Sequence, residues 1–170
     1  VKQIIKITDF LQTGVFGDVK INDSIEIVIK KLGKPDGGDS IKSRNSRKMI
    51  HYGMYEFMFT DNKLQSIQND HFDTKHPELM EFDGTDIVID SGLMRADRVK
   101  FMKDIEKELV EQNIKFIIID YWERKAFKTE GDVIIDFNDE ELCDTENSHK
   151  MIDNIKDYKL IGFRYYPTLT

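Results

Sequence analysis

The residue types best suited to chemistry cluster in "NDHFDTKH", where Asp70, His71, Asp73 and His76 share one polar stretch. Imidazoles and carboxylates ligate zinc and related ions, so a metal-dependent enzyme using His71, Asp73 and His76 is one reading. Zinc sites recruit three or four ligands and orient them through further hydrogen-bonded groups. No further ligand cluster accompanies these residues, and the stretch fits better as a polar connector whose side chains cap neighbouring elements. A second stretch, "DFNDEELCD", sets Asp136, Asn138 and Glu140 at alternate positions, as in the opening of a calcium loop. Glu141 stands where that loop needs glycine, and Asn147 where it needs glutamate. Cys143 has His149 nearby in sequence but no adjacent base to favour its thiolate, and is read as an inert loop-edge residue. Neither a phosphate-cradling glycine loop nor a nucleophile elbow is present, so no cofactor is expected.

Binding is better supported than catalysis. Asp132, Asp136, Asp139, Glu140, Glu141, Asp144 and Glu146 follow one another without an intervening Lys or Arg. Carried on a strand and its turn, they would form a negative edge. Such an edge steers a basic partner or protects a strand from aggregation. Tyr121, Trp122, Tyr165 and Tyr166 fall at strand ends, where aromatic rings serve as interface anchors or as rim residues with their polar tips in water. The expected partner-binding set is therefore Asp136, Asp139, Glu140 and Glu141 for charge, with Trp122 and Tyr121 as anchors. In "IKSRNSRK", Lys42, Arg44, Arg47 and Lys48 could contact phosphates, but no aromatic residue is interleaved for base stacking. With 32 acids against 25 bases and a net charge of −7, nucleic acid is not the expected partner, and a basic protein is.

The chain that must position these residues is globular in composition. Its 170 residues are 39% hydrophobic and 34% charged, richer in apolar residues than disordered chains. One cysteine forms no internal disulfide and points to a reducing, cytoplasmic compartment. No apolar run spans a bilayer, and "VKQIIKITDFLQTG" is too polar for a signal peptide. Nothing in the sequence sets an oligomeric state.

Periodicity predicts a first helix across "KQIIKITDFLQTG", stopped by Gly14, and then an extended "GVFGDVKI" arm. A second helix reads from "INDSIEIVIKKLGKP", with Asp23 and Glu26 as a capping box and Gly33 at the left-handed C′ position. Strands follow in "RKMIHYGMYEFMFTDNKLQSIQND", turning near Gly53 and at Asp61-Asn62. Residues 71–85 read as a connector between an N-terminal half, 1–70, and a C-terminal half, 86–170, with one continuous domain as the alternative. The second half opens on the strand "IVID". Its helix spans "MRADRVKFMKDIEKELVEQN", with Asn113 at its end. "IKFIIIDYW", apolar on both faces, reads as a central strand. Strands in "AFKT" and "GDVIIDFND", a short helix on Met151, Ile152 and Ile155, and a final strand in "YKLIGFRYYP" complete it.

The expected fold class is α+β: an antiparallel sheet with helices packed on one face, built of two αβββ-like repeats. The internal echo pairs "MYEFMFTDNKLQSIQ" with "DVIIDFNDEEL" followed by "YKLIGF". "FGDVKINDSIEIVIKKLGKP", a basic loop and "YEFMFTDNKLQSI" together resemble a module in which an arm leads into a short helix ending Leu-Gly-x-Pro and then into a meander. That module is seen in the beta-lactamase inhibitor protein, in the small lipoprotein of the outer-membrane barrel-assembly machinery, and in bacterial immunity-type proteins. The resemblance covers the first seventy residues or so. This chain lacks the lipid-attachment cysteine and the paired cysteines of the first two. What the resemblance implies is a non-catalytic inhibitor-like or immunity-type domain; a structural or regulatory role remains the other non-enzymatic reading.

Overall fold

The computed structural model describes residues 1–40, 45–95, 97, 99–142 and 149–167; of residues 141, 142, 149 and 150 it describes the backbone alone. Lys42, Arg44, Cys143, Asp144, Glu146 and Asn147 lie outside the described residues.

The chain opens with a strand rather than a helix: β1 (Gln3–Lys6) precedes α1 (Ile7–Thr13). Ile5 is buried, while the adjacent Ile4 is 64% exposed. Consecutive β-branched residues suit this two-residue alternation better than a helical turn. The "GVFGDVKI" segment is a tight turn instead of an extended arm, with Phe16 bridged to Val19 and both side chains buried.

The second helix, α2 (Ile25–Leu32), begins one residue later than its sequence signature indicated. Ser24 is the N-cap, accepting a hydrogen bond from the Ile27 amide at 3.4 Å. Asp23 instead accepts from the Lys20 amide at 2.8 Å and from the Lys31 ammonium at 2.7 Å, so it braces the entering turn against the last helical turn. Glu26 accepts from Asn62 Nδ2 at 3.0 Å rather than closing a box on Asp23. Because the Ser24 bond is long and Asp23 has two partners, Asp23→Ala should be the more costly of the two cap changes. Each should fall within roughly 0.5–2 kcal/mol. Urea melts of both variants test the order, and a larger loss for Ser24→Ala would return the cap to serine alone.

The central meander follows as expected from its alternation. A two-residue β2 (Gly37–Gly38) pairs with β3 (Arg47–Tyr52), then come β4 (Tyr55–Thr60) and β5 (Lys63–Asn69). Asp61 and Asn62, at φ 48° and 61°, make the left-handed two-residue turn. Tyr55, Phe57 and Phe59 are buried, and the intervening Glu56 and Met58 only half-buried. Residues 71–85 hold a 3-10 turn (Pro77–Met80) and β6 (Phe82–Asp83), which joins β7 (Ile87–Asp90) and β1 in a small sheet of order β1-β7-β6. A second 3-10 turn (Gly92–Met94) leads to α3 (Met102–Glu111). This helix starts later than its periodic pattern because the Asp104 carboxylate accepts from the amides of Lys100 and Phe101, at 2.9 and 2.8 Å. Asn113, at φ 56°, follows it.

The remaining strands are β8 (Phe116–Tyr121), β9 (Arg124–Thr129), β10 (Ile134–Asn138), β11 (Glu140–Leu142), β12 (His149–Met151) and β13 (Lys159–Tyr165). The expected helix on Met151, Ile152 and Ile155 is replaced by β12 and a 3-10 turn (Ile155–Asp157). The Ile152 amide donates to the Asp139 carbonyl at 2.7 Å, closing the β11–β12 hairpin, and the Asn154 side chain caps the turn by accepting from the Lys156 amide. One sheet runs β2-β3-β4-β5-β13-β10-β9-β8. β8 therefore lies at its edge and not at its centre, with Ile117 61% and Ile118 50% exposed.

The architecture is α+β, dominated by this antiparallel sheet. It continues without a break from one half of the chain to the other through the β5–β13 pair. On either side of that pair, strands take equivalent places, and the β4–β5 and β10–β13 pairs each carry a register shift, at Met58/Phe59 and at Asp136/Phe137. One face of the sheet is covered by helices. Phe10 of α1 meets Phe163 and Tyr165 edge-on, and the buried residues of α2 and α3 join the same apolar cluster. No helix among the described residues is long and apolar enough to cross a membrane.

Candidate functional site

The opposite face of the sheet carries a row of polar side chains. Register fixes the row: His51 lies opposite Glu56, Glu56 opposite Gln68, and Gln68 opposite Arg164. Asp136, two residues along β10 from the partner of Arg164, projects from the same face. The neighbouring Asp70 and His71 extend the row from the end of β5. Gly162 makes this approach possible: at φ 154°, a Cβ there would stand 2.0 Å from the Asn69 carbonyl oxygen and 2.8 Å from Asp70 Cα.

Arg164 is the hub. Its Nη2 donates to Asp70 Oδ2 at 2.9 Å, and its Nε lies 3.3 Å from Asp136 Oδ2. Arg124 Nη2 is 3.9 Å from the same Asp136 oxygen. Asp136 is fully buried, and its Oδ1 accepts from the Phe137 amide at 2.9 Å. Burial raises its carboxyl above the usual range, and the guanidiniums of Arg124 and Arg164 oppose the rise without cancelling it. For Arg164, burial disfavours the charge, but Asp70 and then Asp136 outweigh it and hold the guanidinium firmly protonated. Farther along the row, Gln68 Nε2 donates to Glu56 Oε2 at 2.6 Å, Tyr166 hydrogen-bonds Gln68, and His71 Nε2 lies 3.8 Å from Glu56 and 3.6 Å from Asp70.

The β8–β9 hairpin overhangs this network. Its turn is Trp122-Glu123, at φ 48° and 65°. The Trp122 ring stacks on Tyr121, with centroids 5.1 Å apart and planes 10° from parallel, and the Arg164 guanidinium carbon lies 5.3 Å from its centroid. Even so, Trp122 is 65% exposed. Burial raises the Tyr121 hydroxyl above its ordinary pKa, and Arg164 works against the rise. Beside the hairpin, Trp122, Glu123, Arg124, Asn138, Asp139, Glu140 and Met151 line an open cleft of about 480 Å³.

The residues singled out in the sequence thus divide. Trp122, Asp139 and Glu140 meet at the cleft, with Tyr121 supporting Trp122 from behind. Asp136 does not belong to an exposed acidic edge: it is enclosed between two arginines because the Arg164 side of β13 is packed directly against it. Asp139 is also buried, at 8% exposure, so only its rim reaches the cleft. Glu141 sits in β11 opposite Lys150. His71 joins the polar row, whereas Asp73 accepts from the Lys75 amide at 2.8 Å and His76 Nδ1 pairs with Glu78 at 3.2 Å. Among the described residues, no group of three or more His, Cys, Asp or Glu side chains is placed to hold a metal ion.

Arg124, Arg164, Glu56 and Gln68 escaped the sequence reading. The available signal was a charged residue inside each of two otherwise apolar strands, Asp136 in "IIDF" and Arg164 in "GFRYY". Buried charges occur paired, so each predicts a partner for the other. The assembled site brings together an indole, a guanidinium and carboxylates. No protein-family model, no curated protein and no solved structure matches the chain.

Proposed function

We propose that this chain is a non-catalytic protein-binding domain of the immunity or inhibitor type, which engages a basic partner through the Trp122 cleft. The observation that carries this reading is Trp122 itself. A tryptophan left 65% exposed at a hairpin tip, yet held between Tyr121 and Arg164, has little side-chain freedom left to lose on binding. Rigid exposed Trp beside Arg and Tyr is the composition of binding hot spots. Glu123, Asp139 and Glu140 around the cleft, together with a net charge of −7, favour a basic surface opposite. The resemblance of the α2-and-meander segment to inhibitor and immunity modules supports the same class.

The test is a partner co-purified from the native host and titrated calorimetrically against wild type and Trp122→Ala. The substitution should weaken binding at least tenfold, about 1.4 kcal/mol or more, and leave the melting temperature nearly unchanged. Wild-type association should slow with added salt. An unaltered Kd for Trp122→Ala would remove the cleft from the interface.

A further inference from the structure

We propose that the cleft on the outer face of the β1-β7-β6 sheet binds a linear aliphatic polyamine. The cleft holds about 630 Å³, within the roughly 300–1,000 Å³ of small-molecule sites. It shares no residue with the Trp122 cleft.

Strand alternation builds it. Ile5, Ile87 and Ile89 point into the core, so Ile4, Val88 and Asp90 point away from it. Register sets Asp83 opposite Val88 and Phe82 opposite Ile89. The backbone of Glu81 is also extended, and one further step of the same register sets Glu81 opposite Asp90. Like charges directly opposite each other destabilise a strand pair. Among the described residues, no ion pair reaches either carboxylate: Asp90 accepts only from the Gly92 amide at 3.0 Å. Arg95, which also lines the cleft, is held by Asp97 through bonds of 3.0 and 2.9 Å. Lys6, opposite Asp90 on β1, lines a separate hollow beside Asp9. The two carboxylates act together on the core beneath them: burial raises the Tyr55 hydroxyl, and Glu81 and Asp90 add to the rise.

Ser91 is an independent sign of a ligand. It is 2% exposed, and its hydroxyl caps no amide of the 3-10 turn it begins. It has no other hydrogen-bond partner among the described residues. There, the unpaired side-chain atoms sealed from solvent are Thr129 Oγ1, Asp136 Oδ2 and Arg164 Nε. Ser91 Oγ is unpaired but not sealed, so it opens on the cleft that Ser91 lines. A buried hydroxyl in that position is completed by a donor entering the cleft.

The lining selects the kind of cation. Glu78 and Asp83 stand beside Glu81 and Asp90, partnered at the rim by His76 and Lys2. These acids do not converge on a point, since no group of three among the described residues is placed to hold a metal ion. Ile4, Phe82 and Val88 supply apolar surface between them. Separated carboxylates across apolar surface suit several ammonium groups joined by methylene stems. The stems cover the carbon surface, and each charge meets an acid. A hydrated metal ion would leave that surface bare.

Calorimetric titration of the chain with spermidine tests the proposal. At low ionic strength it should show one site with a Kd below about 1 mM, weakening as salt is added. Glu81→Gln and Asp90→Asn should each weaken binding roughly tenfold. Both variants should melt like wild type, because the asparagine keeps the oxygen that accepts from Gly92 and Glu81 has no partner to lose. Glu111→Gln, at an exposed position of α3, removes the same charge elsewhere and should leave the affinity unchanged. An equal loss in Glu111→Gln would mean that spermidine answers only to the net charge of −7, and overturns the site. So does an affinity that Glu81→Gln and Asp90→Asn leave intact, magnesium competing as well as spermidine, a tri-lysine peptide binding more tightly, or the absence of saturable binding.

Discussion

Arg164→Met should lower stability by roughly 3–5 kcal/mol at neutral pH, the usual cost of removing one member of a buried ion pair. Methionine fills much of the arginine volume, so the loss is electrostatic rather than a cavity. Asp136 would keep the Phe137 amide and, as a counter-charge, Arg124 at 3.9 Å, and Asp70 would lose its 2.9 Å hydrogen bond. The sign of the pH dependence follows from burial. Asp136 already titrates above the ordinary carboxylate range, so between those two values the native state binds more protons than the unfolded chain. Stability from this group is therefore present at low pH and lost as pH rises through that window. Removing Arg164 raises Asp136 further and extends the window upward. The difference between variant and wild type should accordingly shrink as pH falls. Asp136→Asn added to Arg164→Met should recover part of the loss. Urea melts at several pH values check both points; a pH-independent deficit with no rescue would mean that Arg164 acts through packing alone.

The second large effect is expected at Gly162. Gly162→Ala adds one carbon where the Asn69 carbonyl oxygen would be 2.0 Å away, against backbone that no rotamer change can move. The φ of 154° is also one that residues with a side chain rarely adopt. Strain and overpacking together should cost roughly 2–5 kcal/mol. The effect should reach the site as well, since this close approach brings Asp70 to Arg164. Trp122 is the only tryptophan, so its fluorescence reports the guanidinium beneath it. A red-shifted emission together with a lowered melting temperature is the expected outcome. Normal melting in Gly162→Ala would show that β13 and β5 do not come this close.

The elements legible beforehand were those whose residues carry their own punctuation. The alternation of Tyr55, Phe57 and Phe59, the Asp61-Asn62 turn, the end of α2 at Gly33 and the end of α3 near Asn113 all follow from local steric preference. The misreadings share one cause. Lys2 to Lys6 was read as helical, yet β1 exists because β7, more than eighty residues later, offers a parallel edge. Met151 to Ile155 was read as helical, yet the Asp139 carbonyl pulls the Ile152 amide into a hairpin. An apolar run such as "FIII" shows only that a strand can be buried on two faces; its place at the sheet edge depends on which strands pair inside it.

The same division applies to the candidate site. The sequence alone determined the α+β class, the positions of the meander turns, the aromatic pair Tyr121-Trp122 and the acidic character of the segment beginning at Asp132, because residue type and spacing act within a few residues. Only the tertiary structure decided that Asp136 is enclosed by Arg124 and Arg164 while Trp122 stays exposed above them. Which face a charge occupies, and which charge it meets, depends on strand order and register between β5, β13 and β10, and those are set by chain segments distant in sequence that close over one apolar core.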